Sequence, residues 1–150
     1  MATGFGSPYG RSVPSIVPQP RPQATWRGAS GASYQAEIYL AGEPLPRCAG
    51  VYVWPALGRT LLTIGSLLAV YVGIAGDFLA RMQRHQAESD KWPDAVRMGV
   101  TDLHFIPIAG EESHSRAVEA DLIAAHDPPL NKAAPATGFL NPFFGSFGTT

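Results

Sequence analysis

The chain has 150 residues, the length of a single domain, and a net charge of −1, without the excess of Lys and Arg that phosphate binding usually draws on. Its one cysteine, Cys48, excludes an internal disulfide and fits a reducing compartment such as the cytoplasm. No positively charged stretch precedes an apolar core at the N-terminus, so a secretory leader is not expected.

Residues 1–36 are rich in Gly, Pro, Ser and Gln and contain no acid, with Arg11, Arg21 and Arg27 as their basic residues. The composition is that of a transit peptide, but five prolines between Pro8 and Pro22 oppose the amphipathic helix such peptides form. A segment this poor in large aliphatics does not offset its ordering entropy, and it is predicted to be disordered. A lead-in strand is expected over 34–40. Val51 to Trp54 is β-rich and is expected to stop at Pro55.

Residues 60–76 carry no charge over 17 positions, the short edge of what spans a bilayer. Three glycines within them favour a loop followed by a buried strand, Leu67 to Val72. A membrane-associated protein is the alternative there. Gly76-Asp77 then supplies a turn and an N-cap for a helix running to about Glu88, with Phe78 and Met82 one turn apart. Asp90 is expected to cap a short second helix. Leu103 to Ile108 reads as a strand. Glu111 and Glu112 mark the start of a last helix that Pro128-Pro129 stops, with Val118, Leu122 and Ala125 as its apolar stripe. The order β, β, α, short α, β, α predicts an α/β (α+β) domain over 37–134. Residues 135–150 form a Phe/Gly-rich tail, a candidate docking peptide for a protein partner.

Individually the polar residues say little. Arg81 and His85 are four apart and share a helix face. Glu119 borders the apolar stripe of the last helix, where a carboxylate can hold a hard divalent cation. Tyr52 and Tyr71 are ordinary strand residues, and Asn131 an ordinary turn residue.

Together they form a pattern. Gly50-Val51-Tyr52 and Tyr71-Val72-Gly73 are followed by Arg81 and His85, ten and fourteen residues after Tyr71, then by Glu119 and by Pro129-Leu130-Asn131. This ordered set resembles the GIY-YIG nuclease family over about residues 49–132. The resemblance implies a small three-stranded antiparallel sheet flanked by helices, one Mg²⁺ or Mn²⁺, and hydrolysis of DNA phosphodiesters in repair, recombination or defence. Carried over, Glu119 anchors the metal and Arg81 neutralises charge on the phosphoryl group. Tyr52 orients or deprotonates the water with support from Tyr71, and His85 shares the proton traffic. Asn131 holds the end of the last helix. Gly73 lets substrate approach the backbone, and Arg116 and Lys132 are further substrate-binding candidates.

Three features depart from the family pattern. Ile74 stands where a polar or basic residue often follows the second tripeptide. The 19-residue spacing from Tyr52 to Tyr71 implies an inserted loop over Gly58 to Ser66. The overall charge is not basic. They motivate an alternative in which the fold is kept as a DNA- or protein-binding module with little or no cleavage.

Overall fold

A computed structural model describes residues 19–60 and 62–132. The Phe-rich tail at 135–150, with the docking role expected of it, and residues 1–18 lie outside the described residues. The elements are β1 (Gln23–Arg27), β2 (Ser33–Leu40), β3 (Gly50–Leu57), β4 (Leu67–Ala75), α1 (Phe78–Glu88), α2 (Lys91–Arg97), β5 (Asp102–Pro107) and α3 (Glu112–His126), closed by a 3₁₀ turn at Pro129–Asn131. The α+β class stands, but the three-stranded sheet does not. The strands form one five-stranded antiparallel sheet in the order β1-β2-β5-β3-β4.

β2 is the lead-in strand expected over 34–40, now joined to the sheet, while β1 comes from the segment expected to be disordered. β1 and β2 pair from Gln23↔Glu37 to Arg27↔Ser33 around a turn in which Gly31 has a φ of 88°. This hairpin buries Trp26 and Ala36 against the sheet. It is also fastened to α3. The Asp121 carboxylate accepts from the Ser30 N–H and hydroxyl and from the Tyr34 hydroxyl, and His126 Nε2 lies 2.8 Å from the Arg27 carbonyl. Any side chain at Gly28 would collide with Asp121. A further hydrogen-bonded chain joins β1 to β5. The Trp26 indole N–H donates to His104 Nδ1, so the other ring nitrogen, Nε2, carries the proton that faces Asp102 at 3.1 Å.

Both faces of the sheet are covered, so the central strands read as continuous apolar runs instead of alternating ones. Tyr52, Trp54, Leu103 and Phe105 pack beneath α1 and α2 with Phe78 and Met82, while Val51, Val53 and Ile106 face Leu122 of α3. Phe78 and Phe105 stack at 4.3 Å between ring centres.

Three local expectations change. β3 continues past Pro55 to Leu57, with a register shift between Trp54 and Pro55. Its pairing with β5 ends at Val53, so the missing proline N–H lies where β3 has only one ladder to maintain. Ser89, not Asp90, accepts from the Lys91 N–H at the start of α2. The buried face of α3 is Ser115, Val118 and Leu122, and Ala125 is exposed. The uncharged 60–76 segment is a hairpin connection followed by a strand. Among the described residues no helix is long and apolar enough to cross a membrane.

Candidate active site

β3 and β4 pair with Tyr52 opposite Gly73 and Trp54 opposite Tyr71, which puts both tripeptide tyrosines on the α1 face of the sheet. Gly73 is buried, and a Cβ there would meet Tyr52 Oη at 2.5 Å and Tyr71 Cε1 at 2.9 Å. Its role is therefore to leave room for two tyrosine rings, not to admit substrate to the backbone. Tyr52, Tyr71 and Trp54 pack as tilted rings, Trp54 and Tyr71 at 4.6 Å between centres.

α1 crosses this aromatic floor. Asp77 caps it by accepting from the Ala80 N–H, and Phe78 and Met82 are buried beneath it. That rotation turns Arg81 and His85 toward the tyrosines. Tyr52 Oη lies 2.7 Å from His85 Nε2 and accepts a longer contact of 3.4 Å from Arg81 Nε. Burial, and then the neighbouring Arg81, Lys91 and Arg84, push the His85 pKa down to about 4, so its ring is neutral at neutral pH. Burial drives the Tyr52 phenol well above its ordinary range, although Arg81 pulls the other way. The cation needed to make Tyr52 a base is present, but burial outweighs it. Tyr52 is 0% exposed, whereas Tyr71 lines the open cleft.

Glu119 approaches from α3. Glu112, Ser115 and Glu119 follow one another at i, i+3 and i+7 and share a face. Glu112 and Ser115 line a cleft of about 530 Å³ whose opposite wall is Arg81 and Arg84 of α1. Burial raises the Glu119 pKa, opposed by the charges of Arg116 and Arg81. Among the described residues Glu119 makes no ion pair within 4.0 Å. Glu119 itself does not line that cleft, and what links it to the site is its place in the field of Arg81. No group of three or more His, Cys, Asp or Glu able to hold a metal occurs among the described residues. Glu119 alone would offer a single carboxylate to a cation of the Mg²⁺ kind, whose other positions water and phosphate oxygens can fill.

Asn131 acts on the strand edge. Its Oδ1 accepts from the Val72 N–H and its Nδ2 donates to the Val72 carbonyl, each at 2.7 Å. β4 is an outer strand, and this side-chain amide pairs with it as a further strand would. Arg116 pairs with Glu112 and lies within electrostatic reach of Glu119. Lys132 pairs with Asp127 at 3.3 Å and lines neither cleft beside Arg81. The structure thus gathers Tyr52, Tyr71, Arg81 and His85, keeps Glu119 within the field of Arg81, gives Asn131 and Gly73 supporting positions, and leaves Lys132 aside. Sequence reasoning passed over Arg84 and Lys91, which line the Tyr71 cleft, and Trp54 and Trp92, which wall the aromatic floor at 5.0 Å between ring centres. Arg84, beside His85 on a helix with Arg81, was the available signal.

The chain matches no protein-family model, no curated protein and no solved structure.

Proposed function

We propose that this protein is a divalent-metal-dependent DNA endonuclease of the GIY-YIG kind. The observation that carries the reading is that Arg81, Tyr71 and His85 line one cleft, with Tyr52 bonded to His85 behind them, while a partly desolvated, unpaired carboxylate, Glu119 of α3, lies within the field of Arg81.

Glu119 would hold Mg²⁺ or Mn²⁺, and the metal would supply Lewis-acid relief of the negative charge that phosphodiester hydrolysis builds up. Arg81, with its planar set of donors, binds the phosphoryl group and neutralises the charge that develops there. Tyr71 faces the cleft and orients the attacking water. Tyr52, closed off from solvent, links Tyr71 to His85 behind it. His85 is held neutral by burial and three nearby cations, and an arriving phosphodiester offsets those cations and makes the ring a better proton acceptor. Asn131 keeps β4, and with it Tyr71, in register.

The test is cleavage of supercoiled, linear and branched DNA with Mg²⁺ or Mn²⁺ by the wild type, Glu119→Ala and Arg81→Ala. Loss of cleavage in both variants, with their fold intact, is expected. Undiminished cleavage by Glu119→Ala would sink the assignment. A folded wild type that cleaves none of these DNAs would favour the binding-module reading.

A further inference from the structure

Ten cations occur among the described residues, and half are already paired. Arg21, Arg47, Arg97, Arg116 and Lys132 each face a carboxylate within 4.0 Å, while Arg27, Arg59, Arg81, Arg84 and Lys91 do not. Three of those five unpaired cations, Arg81, Arg84 and Lys91, line one cleft of about 300 Å³ together with Tyr71 and His85. An unpaired cation costs nothing in water, but three of them around one concavity repel one another unless an anion occupies it.

The two clefts that meet at Arg81 differ in charge. On the Glu112 side the lining carboxylates Asp77 and Glu112 equal Arg81 and Arg84 in number, each carboxylate also being paired, with Arg47 and Arg116 respectively. On the Tyr71 side Arg81, Arg84 and Lys91 face Glu88 alone, a formal excess of two positive charges. The Lys91 ammonium is also held in place, 4.9 Å from the centre of the Tyr71 ring. The denser group of unpaired cations thus lies from Arg81 toward Tyr71 and Lys91.

We infer that Arg84 and Lys91 form a second phosphate subsite, which binds the DNA phosphate next to the one at Arg81. This inference rests on the nuclease reading for its ligand. It explains how a chain with a net charge of −1 engages DNA: the positive charge is concentrated where the strand passes. Glu88 is the opposing group in the subsite, and its removal strengthens binding.

The test is equilibrium binding of a short fluorescein-labelled DNA duplex over a range of salt concentrations, with a chelator present so that no cleavage intervenes. Arg84→Gln and Lys91→Gln are each expected to flatten the slope of log affinity against log salt by about 0.9, the value of one phosphate contact. Glu88→Gln is expected to raise affinity several-fold. Equal thermal midpoints for these surface variants separate the effect from misfolding. Unchanged slopes in both cation variants, or no DNA binding by the wild type at low salt, would overturn the inference. The slopes and the cleavage assay fail separately. Flattened slopes without wild-type cleavage keep the subsite and reject the nuclease, while cleavage with unchanged slopes does the reverse.

Discussion

Replacing Gly73 with alanine tests whether the tripeptide glycine exists for its neighbours. The added Cβ would lie 2.5 Å from Tyr52 Oη, 2.6 Å from Tyr52 Cζ and 2.9 Å from Tyr71 Cε1. Ordinary contact requires about 3.5 Å or more, so the rings must retreat by roughly 1 Å. Tyr52 has no free direction, because it is 0% exposed and bounded by Trp54, Phe78 and His85. Overpacking of this kind costs about 1–3 kcal/mol, and a weakened Tyr52–His85 hydrogen bond adds about 1 kcal/mol. Relief of glycine's chain entropy returns about 0.5–1 kcal/mol. The expected net loss is about 1–3.5 kcal/mol, a fall of roughly 5–25 °C in the thermal midpoint of a domain near one hundred residues. Urea unfolding followed by tryptophan fluorescence measures it. Gly76→Ala is the internal control, since a Cβ there meets nothing within 4 Å. A Gly73→Ala protein as stable as the Gly76→Ala protein, with cleavage unimpaired, would refute the reasoning and return Gly73 to substrate access.

Two other outcomes are expected. Asn131→Ala removes both partners of the buried Val72 peptide groups and is expected to cost about 2 kcal/mol, with faster amide exchange at Val72; urea midpoints within about 0.5 kcal/mol of the wild type would contradict this. Stability is also expected to fall as pH drops. The His85 pKa is lowered from an ordinary 6.5 to about 4 in the fold, so between those values the unfolded chain binds more protons and stability rises with pH. From pH 7 to pH 5 the loss attributable to His85 is roughly 2 kcal/mol, and burial depresses His104 in the same direction. His85→Gln should lose less stability over that interval. An identical loss in the two proteins would count against the burial of a neutral His85.

Much of the part from β3 onward was legible because its signals are local. The Gly76-Asp77 cap, the Phe78–Met82 stripe and the Arg81–His85 spacing orient α1 without reference to distant residues, and the Asn131 position follows a proline stop. β1, and the hairpin it makes with the expected strand β2, were illegible for the opposite reason. Trp26 and Ala36 are few among many Gly, Pro and Ser residues, and what orders them is remote: β5 across the sheet, and Asp121 and His126 on α3. The role of Gly73 also depends on register. Only the pairing of Tyr52 with Gly73 shows that the glycine faces a phenol. The local charge was hidden because composition averages paired and unpaired cations alike, and ion pairing is decided by the tertiary structure.

The strand order has a consequence for how the chain is made. The two hairpins, β1 with β2 and β3 with β4, are each contiguous in sequence, yet they meet only through β5, which inserts between β2 and β3. Until residue 107 has emerged from the ribosome, both hairpins carry an unpaired inner edge, and the connection from β4 to β5 spans the whole of α1 and α2. Closure is therefore late and non-local, the arrangement that slows folding. A nascent chain arrested before Asp102 would present two open β-edges at once, so translation pauses in that interval would expose this protein to self-association more than any substitution at its surface.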